Sequence, residues 1–172
     1  GENTSESPCQ VTSCADLNST RDCLGCYYKL MNNLTESDGD YTGLGDDWEP
    51  VGWYITGDNN SPFSGSFDGN NYWIEGLNIS KAGVGYVGLF GWVEGNISNL
   101  NVQVENVTGN EYVGGLVGYS YEGTISNCSA TVSGSVTGFI QVGCLAGSNH
   151  DGLITDCSTQ VLRSISAVGG YD

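Results

Sequence analysis

The sequence predicts an all-β protein, a parallel β-solenoid (β-helix), on three observations. First, the runs VGLFGWVEGNISNLNVQV, VGGLVGYSYEGTISNCSATV and VGCLAGSNHDGLITDCSTQV, beginning at Val87, Val113 and Val142, share one pattern of glycines and apolar residues. Second, segments beginning at Ile74, Ile97, Ile125 and Ile154, spaced 23, 28 and 29 residues apart, carry Gly76, Asn99, Asn127 and Asp156 at their third position. Those residue types tolerate the left-handed backbone that a sharp bend between strands requires. Third, the chain alternates after each bend. Leu77/Ile79, Leu100/Val102/Val104, Cys128/Ala130/Val132 and Cys157/Thr159/Val161 fall on one face, and the positions between them are mostly polar. A unit this small cannot bury its apolar face alone, so successive units stack as rungs about 4.8 Å apart. A sandwich of hairpins asks for turn signals but not for one residue type recurring in register.

The elements follow in order. Residues 1–8 are polar and flexible, and residues 9–172 form a single solenoid domain. Within it, 9–47 make an N-terminal cap and acidic loop, 48–161 the rungs, and 162–172 a C-terminal edge strand and tail. Ser13 with Asp16 three residues on has capping-box spacing, which predicts a short helix. Cys26–Met31 suits a first strand, and Phe63–Asn71 a strand closed by an Asp-Gly turn. Glu36–Asp47 has no strand or helical period and reads as a loop. Its Asp38, Asp40, Asp46 and Asp47 are weak candidates for a Ca2+ site; they lack EF-hand spacing, and a solvated acidic loop is the simpler reading. No other cofactor is expected.

Glycine (27 residues) far outnumbers proline (3), as expected of a chain with many turns at regular places. Four Lys and Arg against twenty Asp and Glu give a net charge of -16. Such a surface repels phosphate backbones and anionic lipid, which excludes nucleic-acid and polybasic membrane partners. No apolar run approaches a membrane span, and the start at Gly1 reads as a processed chain. Sequons at Asn3, Asn18, Asn33, Asn78, Asn96, Asn106 and Asn127 are candidates for N-linked glycans, with an eighth, at Asn59, followed by Pro62. Together with seven cysteines they predict an extracellular, cell-surface protein.

Cys9, Cys14, Cys23 and Cys26 predict two disulfides, with three connectivities open, in competition with a zinc site built on Cys23-x-x-Cys26. Cys128 and Cys157 share a column on adjacent rungs, at a Cα separation a disulfide can span. Cys144 is then left over, either as a buried thiol or as an intermolecular link.

These residues resemble the GLUG-motif repeat proteins, secreted and cell-surface proteins of bacteria and archaea named for Gly-Leu-any-Gly. The motif stands as Gly88-Leu89-Phe90-Gly91 and Gly115-Leu116-Val117-Gly118, while Cys144-Leu145-Ala146-Gly147 departs at its first position. Tyr28–Leu34, Trp48–Gly52 and Phe63–Asn70 resemble the family's opening segment, so the likeness covers residues 12–161. It implies a right-handed solenoid outside the cell, and it does not imply a catalytic site.

The chemistry of the residues agrees with that. The one histidine, His150, sits in a turn, Arg21 and Arg163 are the only arginines, and no pair of acids recurs on one face. An enzyme is not expected. Four tryptophans and ten tyrosines offer sugar-stacking platforms, though packing is their commoner role. The β-prone, weakly charged segment Gln160–Val168 ends the stack as an edge that can add to another sheet. The expected function is a structural protein that self-assembles as a homopolymer into a surface layer, sheath or filament through solenoid edges and disulfides. The alternative is an adhesive or carbohydrate-binding surface module.

Overall fold

The computed structural model describes residues 3–35, 48–53 and 61–169, and it is a parallel β-solenoid of about four turns. The chain enters through β1 (Cys9–Val11), α1 (Cys14–Asn18) and a 3-10 turn (Ser19–Asp22), followed by β2 (Tyr27–Leu30). The first rung is β3 (Ser66–Asp68), β4 (Trp73–Ser80) and β5 (Phe90–Val93). The second runs through β6 (Asn96–Ser98), β7 (Asn101–Thr108), β8 (Glu111–Gly114) and β9 (Val117–Tyr121), and the third through β10 (Thr124–Ser126), β11 (Ser129–Gly138), β12 (Ile140–Gly143) and β13 (Ala146–His150). The last comprises β14 (Leu153–Thr155), β15 (Ser158–Val161) and β16 (Ser164–Ala167).

Every pairing between these strands is parallel and links one rung to the next. One face is the ladder β1-β2-β3-β6-β10-β14, and another is β4-β7-β11-β15 with β16 also on β11. The remaining wall is β5-β9-β13 with β8-β12 beside it. Two inward columns are apolar throughout, Phe67, Ile97, Ile125 and Ile154 in one and Leu77, Val104, Val132 and Val161 in the other. Tyr28, Phe63, Phe67 and Phe90 fill the first turn with ring centroids 5.2–6.4 Å apart.

The bend column has a left-handed backbone at Asn99, Asn127 and Asp156 (φ 52°, 50° and 53°), as the sequence predicts. Its first member differs. Ile97 pairs with Phe67, thirty residues upstream, so the first-rung bend is the left-handed pair Asn70–Asn71. Gly76 (φ 73°) instead sits in β4, where the register with β7 shifts. The bends are tied along the stack by an amide ladder. Asn127 Nδ2 donates to Asn99 Oδ1 (2.8 Å) and Asn99 Nδ2 to Asp68 Oδ1 (2.9 Å). Burial works against the Asp68 charge, but the Asn99 amide, the Asn70 N–H and Lys29 together hold its carboxyl below the usual range.

The capping helix forms as expected. Ser13 Oγ accepts from the Asp16 N–H (3.0 Å) while Asp16 Oδ2 accepts from the Thr12 N–H (2.9 Å) and hydroxyl (2.7 Å), which also lowers the Asp16 pKa. That fixes α1 so that Cys14 and Leu17 enter the core with Val11. The cap opens with β1, a strand upstream of the one the sequence predicts.

Candidate assembly surface

The two ends of the stack differ. At the N-terminal end, Val11, Cys14 and Leu17 are 0–1% exposed beneath the cap. In the last described rung the inward columns are less buried. Ile125 and Val132 are fully buried, whereas Ile154 and Val161, one rung on in the same columns, are each 38% exposed. Ile165 follows Val136 in the same way, and Leu153, Leu162 and Val168 add further apolar surface. The outward edges of β12 to β16 have no strand partner among the described residues. Their rung carries only Asp151, Asp156 and Arg163 as formal charges. In a chain of net charge -16 this end therefore combines exposed apolar side chains with few charges.

One glycine position limits what can add here. At Gly115 a Cβ would stand 2.4 Å from the Cys144 carbonyl oxygen of the following rung, so the motif's first glycine is needed wherever a rung stacks above it. The third copy has Cys144 at that position. A further parallel rung in the same register would meet its Cβ.

The thiols depart from the sequence-based expectation. Among the described residues one disulfide is formed, Cys23–Cys26, and Cys9 and Cys14 are thiols. Strand β1 leaves Cys9 exposed while α1 turns Cys14 into the core, so these two side chains diverge. Cys128 and Cys157 occupy the expected column but are also thiols. Each sulfur contacts the carbonyl two residues before it (3.2 Å) and one in the preceding rung (3.7 and 3.6 Å). Identical side-chain placement in successive rungs keeps the sulfurs a rung apart instead of bonded. Cys144 is buried, its Sγ 3.5 Å from Ala130 O and 3.9 Å from Gln160 O, while Cys9 is exposed.

Burial pushes the Cys128 thiol up to about 12 and raises that of Cys144. Alkylation of the native protein followed by mass spectrometry should therefore label Cys9 first, and Cys128 and Cys144 only on unfolding. Labelling of Cys128 as fast as Cys9 would contradict this arrangement.

The other predicted site residues are dispersed. Asp38, Asp40, Asp46 and Asp47 lie outside the described residues. Asn78 and Asn106 share one column, Asn96 and Asn18 are exposed, and Asn33 accepts from the Trp73 N–H (2.9 Å). Asn3 and Asn127 already commit their amide nitrogens, Asn3 to Tyr27 O (2.8 Å) and Asn127 to the amide ladder. His150 stacks on Tyr121 and faces Asp151 (3.1 Å). Trp48 is packing: it is buried, donates to Leu89 O (3.1 Å), and has Arg21 over its ring. No helix of the described residues is long and apolar enough to cross a membrane.

These features define a class: a stacked β-solenoid scaffold with a helical cap before its first rung. The family model of the GLUG motif matches residues 109–137, so the chain carries the GLUG repeat. It is 37% identical over 145 residues to halomucin of Haloquadratum walsbyi, a match covering 78% of this chain and 2% of that protein. It is 33% identical over 139 residues to a protein of Evansella cellulosilytica named as a Gly-rich membrane protein, covering 77% of this chain and 15% of that one. The chain thus spans a small fraction of the curated relatives it matches. Among solved structures it resembles a chain from Bacteroides ovatus named as an immunoglobulin A1 protease, with TM-score 0.70, 20% identity, and coverage of 94% of this chain and 49% of that one. That likeness is one of fold.

Proposed function

We propose that this chain is a structural module of the cell surface that associates with other copies through the open end of its stack. The observation that carries the reading is the exposure of the last rung, where Ile154, Val161 and Ile165 are 38–39% exposed beside strand edges without a partner among the described residues. The names of the relatives, halomucin and a membrane protein, favour the same location. Cys144 disfavours stacking of further rungs in register, and among the described residues the capped end exposes fewer large apolar side chains, Tyr27 and Met31. Open end therefore meets open end about a two-fold axis, which sets their edges antiparallel. A second contact extends such dimers into a filament or layer. The exposed Cys9 at the capped end supplies one: two Cys9 thiols lose two protons and two electrons to dissolved oxygen as the S–S bond forms, leaving hydrogen peroxide. Glycans on exposed sequons such as Asn96 add protection to the walls.

Sedimentation velocity tests the reading. The protein should run as a dimer in reductant and as larger species without it, and Val161→Asp should be monomeric in reductant. A wild-type protein that stays monomeric under both conditions would overturn it.

A further inference from the structure

The outer wall of the solenoid carries a chain of rings that neither the core nor the open end uses. Tyr86 and Tyr112 lie 4.8 Å apart on adjacent rungs, and Tyr119 is 5.5 and 5.0 Å from them. Trp92 is 6.1 Å from Tyr86, Tyr121 is 6.5 Å from Tyr119, and His150 is 5.3 Å from Tyr121. The pairing Trp92↔Tyr119 and Tyr121↔His150 sets these rings in columns over β5, β9 and β13. All are partly or fully exposed.

Two independent features distinguish this strip from ordinary packing. The first is backbone strain. Tyr86 and Tyr112 have φ of 60° and 55°, in the left-handed region, where the bend column uses Asn or Asp. A bulky side chain is disfavoured there; Gln141 holds the same backbone at the matching position of the third rung (φ 55°), and in the first two rungs that position carries a ring. The motif's last glycine accommodates it: a Cβ on Gly118 would stand 2.6 Å from the Tyr86 carbonyl carbon and 2.7 Å from Tyr112 O.

The second is charge. Glu94, Glu111, Glu122 and Asp151 flank the rings in sequence or in space, and Glu122 foremost raises the Tyr121 phenol. The basic residues are elsewhere. Arg21 lies over Trp48, Lys29 on Asp68, Lys81 on Glu49, and Arg163 in the last rung. An acidic rim without cations repels anionic polymers, while its carboxylates accept hydrogen bonds from hydroxyl groups. A ligand with uncharged apolar faces edged by hydroxyls satisfies both the rings and the rim, and that is the chemistry of a pyranose.

We propose that Tyr86, Trp92, Tyr112, Tyr119, Tyr121 and His150 form a binding strip for a neutral polysaccharide laid across the rungs. This does not depend on assembly through the open end. The test is retention of the full chain on insoluble polysaccharides of three kinds: a neutral β-glucan, cationic chitosan and anionic pectate. Retention is expected on the glucan and not on pectate, with about ten-fold weaker retention for Tyr112→Asn/Tyr119→Ala. Tyr27→Ala, an exposed tyrosine of the cap, should bind as wild type. Tyr112→Asn alone separates function from packing. Because Asn tolerates the left-handed backbone, it should melt no lower than wild type yet bind more weakly. Failure of the wild type to bind the glucan, retention on chitosan alone, or a Tyr112→Asn variant that melts lower and binds undiminished would each overturn the proposal.

Discussion

Gly118→Ala should cost at least ~3 kcal/mol and lower the melting temperature by roughly 6–12 °C, read by far-ultraviolet circular dichroism. The added Cβ would stand 2.6 Å from the Tyr86 carbonyl carbon, 2.6 Å from Val87 N and 2.7 Å from Tyr112 O. All three are backbone atoms held by the ladder on both sides, so no side chain can swing away to make room. Relief requires the tyrosine corner to move off the strand, which breaks pairing between two rungs. Gly83→Ala is the matched control. Its φ of +83° carries the left-handed penalty, but nothing lies within 4 Å of the new Cβ. That variant should lose only about 1 kcal/mol. Equal losses in the two would mean that conformational freedom, not close backbone approach, explains the glycine of the motif.

The same contrast explains how far the fold could be read from the sequence. Asn99, Asn127 and Asp156 announce their bends because those residue types favour the left-handed region, and the columns behind them follow by alternation. The first rung misleads because Ile74-x-x-Leu77-x-Ile79 imitates the spacing of the true columns, while the paired bend at Asn70–Asn71 and the register shift at Gly76 displace them. Tyr86 and Tyr112 give no sign of a bend, since tyrosine disfavours the backbone it adopts here, and the ring strip they begin joins residues from three rungs. Cys144 was legible only as a departure from Gly-Leu-x-Gly. Its meaning, that the rung above Gly115 needs space and the one above Cys144 has none, required the distance from Gly115 to Cys144 O. The cysteine column was read in correct register, but register fixes Cα atoms and leaves open where each sulfur points.

Ile125→Ala and Ile154→Ala remove the same atoms from the same inward column, and only the cover above them differs. Ile125 is 0% exposed and its truncation should cost ~2–5 kcal/mol, since the rungs on either side cannot close the cavity. Ile154 is 38% exposed, so truncation in dilute solution gives up little buried area and leaves no enclosed void; about 1 kcal/mol is expected. Chemical denaturation at two protein concentrations gives a sharper result. If the open ends pair, association stabilises the folded chain in proportion to how tightly it binds, and stability rises with concentration. Ile154→Ala weakens that contact, so its cost should grow with concentration, whereas the cost of Ile125→Ala should not change. A concentration-independent cost at Ile154 equal to that at Ile125 would mean that the last rung is already covered within the single chain, and the open end would lose its standing as an assembly surface.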